Sequence, residues 1–363
     1  MKKIINIIEL DSRDARYQSG IATYFNVLAQ NMPDNINTYN IVFYRHPEYT
    51  DITIADVGNE LQIRHPMEFP IAALFETVFA YLIPKLKTMQ NIIVKSDCLS
   101  CENLAYLIKS RIYCKTIGVL HCQPNIDTNA GFVPADPYFN MDHIILVGDN
   151  GKKYMQYWRC TRPYSVIYNG TDKPTIKNKH INDGVFRFIF ANGWAPHKGF
   201  KKIIPAIRQV AKKHKIEVCI LGGHAKEDEQ TFQEIRDLPI INMGLVNDVQ
   251  KIQECYERAD CALFASQTEA CSFAGIEALA YNLPIISTNE SAMVEMFGNA
   301  ALFVEMGPNF EINTEEYATQ MLRIIQDRSL RTKLGVVGYS RFLSRYTRKK
   351  MIAKTLDIYN SLF

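Results

Sequence analysis

No stretch of the chain approaches the ~20 consecutive apolar residues that a bilayer-crossing helix needs. Excess charge of one sign is missing too. The 41 Lys and Arg stand against 38 Asp and Glu, a net charge of +3, which gives no support to nucleic-acid binding as the main task. No Asp-x-Asp triplet occurs, so no acidic motif of that kind offers ligands to a divalent ion. No Gly-x-Gly-x-x-Gly follows the first strand-like run, which argues against a nicotinamide enzyme. Cys98-Leu99-Ser100-Cys101 is a CxxC without a second pair at zinc spacing. The nine cysteines are odd in number and scattered, which fits reduced thiols in a cytoplasm. The opening Met1-Lys2-Lys3-Ile4-Ile5-Asn6-Ile7-Ile8-Glu9 is charged too early, and its apolar run is too short, for a signal peptide. A cytoplasmic protein is expected, with peripheral contact at the inner face of a membrane as a variant.

What is present reads as two domains. The 363 residues are 47% hydrophobic and 22% charged, ordinary for a globular protein and enough for two domains of roughly 150–180 residues each. Short β-rich runs alternate with helical patterns, which predicts parallel sheets covered by helices. In the first half the predicted strands are 4–8, 39–44, 92–95, 116–121, 144–147 and 165–168, with helices over 21–32, 102–112 and 152–158. The apolar stretch from Phe69 to Pro84 carries Glu76 and reads as a buried or partly buried helix, with an interfacial membrane segment as the other reading. A polar stretch from Lys173 to Gly184, rich in Lys and Asn, then reads as a linker. Beyond it strands are predicted at 186–191, 217–221, 240–243, 261–264 and 284–287, helices over 200–213, 249–258 and 273–281, and a terminal helix over 347–362. The expected domains are 1–172 and 173–345, with 346–363 returning to the first. Such α/β units bind ligands beyond the C-terminal ends of their strands.

Three strand-to-helix loops carry candidate chemistry. In Thr268-Glu269-Ala270-Cys271-Ser272-Phe273-Ala274-Gly275-Ile276-Glu277, two glutamates bracket mostly small residues where a loop becomes a helix. A helix N-terminus offers unpaired N–H groups and partial positive charge to a phosphate, and small residues let a ligand approach the backbone. By itself the pair reads equally well as a solvated loop glutamate and a helix-face glutamate. In Asn192-Gly193-Trp194-Ala195-Pro196-His197-Lys198-Gly199, the lysine stands where the dipole of a starting helix disfavours a cation unless an anion is bound; an exposed, hydrated lysine is the alternative. Tyr17-Gln18-Ser19-Gly20 is a glycine-containing turn after the first strand. His121, at the end of its strand, is placed where ligands sit, although a lone histidine is more often structural.

Taken together these segments resemble the family-four class of retaining GT-B glycosyltransferases over nearly the whole chain. The match runs through Ser19-Gly20, Val119-Leu120-His121, Val166-Ile167-Tyr168-Asn169-Gly170-Thr171-Asp172, Lys198-Gly199, Glu269 with Glu277, and Asn282-Leu283-Pro284-Ile285-Ile286 followed by Glu295. The resemblance implies two Rossmann-like domains facing across a cleft, with the C-terminal helix crossing back to the first. It implies transfer of a hexose-type sugar, with retention and without a metal or other cofactor, from a nucleotide diphosphate sugar (a UDP-sugar rather than GDP-mannose). The acceptor would be a glycan, a lipid-linked glycan or a protein, in surface polysaccharide or glycoconjugate synthesis.

The resemblance also distributes roles. His121, Glu269 and Lys198 would act on the reacting sugar and its leaving group. Gly20, Asn192, Gly193, Lys198, Val246, Phe273, Ala274, Gly275 and Glu277 would bind the donor, with Glu277 on the ribose and Val246 by the base. One position departs from the pattern: Gly193 stands where the family usually has an arginine, with His197, Lys201 and Lys202 as nearby substitutes. Two alternatives stand beside this reading: a catalytically weak partner subunit, which that departure alone supports, and a nucleotide-sugar epimerase, which the motif set fits less well. The retained Glu269, Glu277 and Lys198 weigh against the first.

Overall fold

The computed structural model describes residues 2–10, 20–97, 101–121, 136–176, 183–223 and 229–363. The chain divides into two compact units, Met1–Tyr168 with Met351–Phe363, and Asn169–Lys350.

The first unit is built on an eight-stranded sheet. Its strands are β1 (Lys2–Leu10), β2 (Ile36–Arg45), β3 (Thr53–Val57), β4 (Glu60–His65), β5 (Ile92–Ser96), β6 (Lys115–Leu120), β7 (His143–Leu146) and β8 (Tyr164–Val166), in the order β3-β4-β2-β1-β5-β6-β7-β8. All neighbours run parallel except the edge pair β3–β4, which is antiparallel. The central strand explains why: Ile4, Ile5, Ile7 and Ile8 are all buried, as a parallel strand covered on both faces requires. Ile5 and Ile7 pack on one face with Leu74, Phe75, Val78 and Leu82 of α2 (Ile71–Leu86) and Leu104 and Ile108 of α3 (Glu102–Lys109). Ile8 and Leu10 pack on the other with Ala22 and Phe25 of α1 (Gly20–Ala29). The apolar stripe of α2 is therefore the core face of this unit, and Leu74, Val78, Leu82 and Leu86 are fully buried. Helices α4 (Asp136–Phe139) and α5 (Gly151–Tyr157) complete the segment before β8.

The second unit carries six parallel strands: β9 (Phe186–Phe190), β10 (Ile216–Ile220), β11 (Ile240–Asn242), β12 (Cys261–Phe264), β13 (Ile285–Thr288) and β14 (Ala301–Val304). Their order is β11-β10-β9-β12-β13-β14. Between them lie α6 (Phe200–Ala211), α7 (Glu229–Glu234), α8 (Val249–Arg258), α9 (Phe273–Ala280) and α10 (Ser291–Phe297), followed by α11 (Thr314–Gln326), α12 (Arg328–Arg345) and α13 (Arg348–Leu362). Phe188, Phe190, Val218, Ile220 and Leu263 form the core with Phe200, Ile203 and Ile207 of α6 and Tyr317, Met321 and Ile324 of α11. Most of α13 belongs to the first unit, where Met351, Thr355 and Tyr359 are buried. Just before it, the Asn-Gly-Thr-Asp segment is stitched to the α12–α13 break. Thr171 N donates to Tyr346 O at 3.1 Å, Arg348 N to Thr171 O at 2.8 Å, and a Cβ on Gly170 would stand 2.6 Å from Thr347 O. No described helix is long and apolar enough to cross a membrane.

Candidate functional site

In the second unit the chain steps from β9 to β10 and β11 in one direction, then returns to add β12, β13 and β14 on the other side of β9. The loops after β9 and β12 therefore meet where the strand order reverses, the place at which open α/β sheets take ligands. Backbone contacts fix these loops to each other. Gln267 N donates to His197 O at 2.8 Å. Gly199 lies in the left-handed region at φ +74°, and a Cβ there would stand 2.1 Å from Ala265 O. Only glycine serves at that position, for conformation and for space. Trp194, almost wholly buried, sits edge-on to Phe200 at 4.8 Å and pins the loop to α6.

The crossing brings Lys198 and Glu269 together. Lys198 Nζ stands 2.6 Å from Glu269 Oε1, with the lysine side chain 21% and the glutamate side chain 8% exposed. The same oxygen accepts from Ser266 Oγ at 3.0 Å and lies 3.5 Å from Asn192 Nδ2, which also donates to Ser266 Oγ at 3.2 Å. Ser272 Oγ in turn donates to Asn192 Oδ1 at 3.4 Å. One carboxylate, one ammonium, an amide and two hydroxyls thus form a connected polar cluster at the strand ends. Beside it, burial lowers the His197 imidazole below its usual range, and the Lys198 charge adds to that effect.

Helix α9 starts at this cluster. Ser272 caps it, its Oγ accepting from Gly275 N at 3.3 Å. The first two helical amides, Phe273 and Ala274, find no acceptor among the described residues. They are the donors that a helix start presents to an anion. One turn on, Glu277 Oε2 accepts from Tyr256 Oη of α8 at 2.9 Å. Burial pushes the Glu277 carboxyl up to about 7, against the Tyr256 hydroxyl, which pulls it down. Tyr256 also donates to Ala274 O at 3.3 Å and stacks on Tyr281 at 5.1 Å, so α8 braces the first turns of α9.

Other predicted donor-binding residues are placed differently from the simplest reading. Gly193 adopts φ +70°, and its amide donates to Leu221 O at 2.9 Å, so neither a side chain nor that N–H reaches outward. Gly275 owes its size to packing: a Cβ there would stand 2.5 Å from Met296 Cε and 3.0 Å from Phe297 of α10. Ala274 is likewise buried. The 270s glycine and alanine therefore let α9 lie against its neighbours, and only their backbone is offered to a ligand. Val246 follows Gly244, whose carbonyl accepts from Gly222 N at 2.9 Å, in a loop hydrogen-bonded through Leu221 to the Gly193 turn. Lys202 is spent on Phe310 O at 2.6 Å. Asn169 Nδ2 holds Cys271 O at 2.8 Å and steadies the loop before α9.

In the first unit the strand order reverses between β1 and β5, and a second buried cluster caps the neighbouring strand ends. Asp97, just past β5, pairs with Lys95 and stands 3.6 Å from His121 Nε2 at the end of β6. The Asp97 and Lys95 side chains are 0% and 1% exposed and that of His121 is 5% exposed. Tyr24 of α1 meets the His121 ring edge-on at 4.6 Å. Burial raises the Asp97 carboxyl, but the Lys95 charge and His121 outweigh it and hold it below its usual range. Burial lowers His121 more than Asp97 lifts it, so a neutral imidazole is held here. Gly20 opens α1; Tyr17, Gln18 and Ser19 lie outside the described residues.

Sequence reasoning singled out His121, Lys198, Glu269 and Glu277 but missed Asp97, Ser266, Tyr256 and Glu290. One of these carried a signal: Asp97 follows directly on the strand Ile92–Ser96, at a strand end where ligands sit. Glu290 carried none; its buried carboxylate caps α10 through Ala292 N and Met293 N. Among the described residues no group of three His, Cys, Asp or Glu side chains is spaced to hold a metal ion.

Comparison with known proteins agrees with this architecture. Residues 172–341 match the family model of group 1 glycosyl transferases. The chain is 23% identical over 350 residues to the O-antigen biosynthesis glycosyltransferase WclY of Escherichia coli, covering 86% of this chain and 95% of that one. It is 22% identical over 190 residues to the capsular polysaccharide biosynthesis glycosyltransferase CapM of Staphylococcus aureus, covering 51% and 48%. Among solved structures, the sucrose-phosphate synthase of Thermosynechococcus elongatus superposes with a TM-score of 0.77 at 16% identity, over 100% of this chain and 99% of that one. Anabaena HepE in complex with UDP-glucose superposes with a TM-score of 0.73 at 13% identity, over the whole of both. The chain has the GT-B fold, and its second unit carries the match to the group 1 glycosyltransferase model.

Proposed function

We propose that this glycosyltransferase moves a hexose-type sugar, with retention, from a UDP-sugar to a glycan or lipid-linked acceptor during surface polysaccharide synthesis. The observation that carries this reading is the convergence of Lys198, Glu269 and the unclaimed amides of Phe273 and Ala274 where the strand order of the second unit reverses. A nucleotide diphosphate is what such a place suits, with one cation and a helix start for its phosphates and a carboxylate one turn further for ribose hydroxyls. The relatives' names, O-antigen and capsular polysaccharide glycosyltransferases, support the biosynthetic setting. HepE, a fold neighbour found with UDP and with UDP-glucose, supports the base.

In this mechanism the bond between the anomeric carbon and the phosphate oxygen breaks, and the charge left on the diphosphate is met by Lys198 and the α9 amides, which stabilise the transition state. The acceptor oxygen bonds to the anomeric carbon on the face just vacated, and its proton passes to a phosphate oxygen. Glu269, fixed by Ser266 and Asn192, orients the sugar hydroxyls. With that charge met by the protein, the reaction needs no metal.

The test compares Glu277→Gln with Glu269→Gln by UDP titration and initial rates, in the presence and absence of EDTA. Glu277→Gln should weaken UDP and intact donor alike. Glu269→Gln should leave UDP affinity nearly unchanged while turnover falls on the order of ten- to a thousandfold. Equal loss of UDP affinity in both variants overturns the division of roles, and activity abolished by EDTA and restored only by a divalent ion overturns the metal-free mechanism.

A further inference from the structure

Away from the donor loops, the second unit holds a cavity of about 230 Å³ between α8 and the edge of the sheet. Cys219 of β10 and Cys255 of α8 both line it, beside Ile241, Met243 and Arg258. Each thiol is the largest influence on the other's ionisation, as befits two groups on the wall of one cavity. Both thiols are partly exposed, so a small oxidant can enter. Arg258 lies one turn beyond Cys255 on the same wall. The Cys219 thiol, aided by the Arg258 charge, holds the Cys255 thiol below its ordinary range although burial and Glu254 oppose them. A thiol of that kind is the more nucleophilic partner of a pair.

We propose that Cys219 and Cys255 form an oxidisable dithiol whose disulfide ties α8 to β10 and thereby weakens nucleotide binding. With a peroxide as oxidant, the Cys255 thiolate attacks one peroxide oxygen, the O–O bond breaks, and a sulfenic acid and water result. Cys219 then attacks that sulfur, the S–S bond forms, and the hydroxyl departs as a second water. Two thiols have lost two electrons and two protons to one peroxide. The structural consequence follows from sequence: the residue after Cys255 is Tyr256, which donates to Glu277 Oε2 at 2.9 Å and to Ala274 O at 3.3 Å. Drawing Cys255 onto β10 displaces the side chain that braces both the carboxylate assigned to the ribose and the first turn of α9. The disulfide assignment stands on the cysteines alone; its effect on binding rests on the donor site proposed above.

The experiment is peroxide treatment of the whole protein, followed by peptide mapping and UDP titration, with Cys219→Ser and Cys255→Ser in parallel. The expected map shows a Cys219–Cys255 peptide lighter by two hydrogens, reversed by dithiothreitol and missing from either variant. UDP affinity of the oxidised protein should fall by about tenfold, the size of a lost hydrogen bond to a charged group, while each variant binds UDP equally before and after peroxide. A map in which these cysteines remain reduced, or pair elsewhere, overturns the disulfide. A disulfide with unchanged UDP affinity overturns the coupling through Tyr256. If the reduced protein also fails to bind UDP, the donor reading falls and the disulfide still stands or falls on its map.

Discussion

Replacing Lys198 by methionine separates its two tasks, because its partner is almost buried. The Glu269 side chain is 8% exposed and that of Lys198 21%, with 2.6 Å between the charged atoms. Removing one member of a fully buried pair costs about 3–5 kcal/mol, whereas a fully exposed pair contributes about 0.2–1 kcal/mol. This pair lies between those limits, and Glu269 keeps the Ser266 hydroxyl at 3.0 Å, so Lys198→Met should cost about 2 kcal/mol by interpolation. For a unit of this size that is a fall in melting temperature of about 4–8 °C. Glu269→Gln leaves the opposite orphan, a lysine that can turn into water, and should cost about 1 kcal/mol or less. The double variant has no unpaired charge and should be more stable than the sum of the two singles implies, by about 1 kcal/mol. Thermal melts of the four proteins give the cycle directly. Losses that add within about 0.5 kcal/mol would refute the pairing, since groups 2.6 Å apart in a half-dry site must couple. In the same samples UDP affinity should fall about tenfold or more in Lys198→Met and be no weaker in Glu269→Gln. A Lys198→Met variant that binds UDP normally removes the lysine from the phosphate site and leaves it a structural clamp.

Two further expectations concern protons and glycine. Burial raises the folded Glu277 carboxyl from an ordinary 4.5 to about 7, so the folded state binds more protons between those values. Glu277 therefore adds stability at low pH that is lost as pH rises through about 7, whereas UDP affinity should rise over the same range because the carboxylate is the form that accepts from ribose; a Glu277→Gln protein should show neither trend, and wild-type curves flat between pH 5 and 8 by melting and titration would count against both. Gly193→Arg places a side chain at φ +70°, so it should cost about 1–2 kcal/mol in a denaturant titration and give no gain in UDP affinity; a stable variant with tighter binding would mean that the loop is not held as described.

The parts of the fold that were legible in the sequence are those whose own residues demand burial. Ile4–Ile8, apolar but for the buried Asn6, and the apolar run Cys261–Phe264 are each a strand covered on both faces. The strands over Thr53–Val57 and Glu60–His65 went unread because both mix polar and apolar residues and the first is largely exposed at the sheet edge. Their local signals were the alternation of Glu60-Leu61-Gln62-Ile63-Arg64 and Gly58-Asn59, a two-residue turn with Gly58 at φ +65°. Helices α10 to α12 were passed over for a related reason. Arg328–Arg345 buries only Leu334, Gly335, Gly338 and Phe342, too thin a stripe to stand out from its charged surroundings. At the site, the residue types were legible and the pairings were not. Lys198 and Glu269 are 71 positions apart, and nothing local says that one would neutralise the other.

Small residues were the least reliable guide, and the reason bears on the chemistry. A run such as Ala270 to Gly275 invites the inference that the backbone is bared for a ligand. Gly275 instead admits Met296 and Phe297 of α10, Gly199 admits the carbonyl of Ala265, and Gly170 admits the α12–α13 break. In each case the missing side chain is explained by protein against protein. Gly193 belongs with them in part: its left-handed turn and its bond to Leu221 O shape the loop, and a side chain there would start out in contact with Gly222 and Gly223. The departure from the family pattern at this position is thus tied to the shape of the β9 loop. Lys202 is held by Phe310 O, so on the proposed donor reading the charge on a leaving diphosphate would be met by Lys198 and the amides of Phe273 and Ala274. Lys198 would then release Glu269, whose carboxylate would turn to the sugar. On that reading the ion pair would link recognition of the phosphate to recognition of the sugar, and the Lys198→Met and Glu269→Gln cycle probes that link.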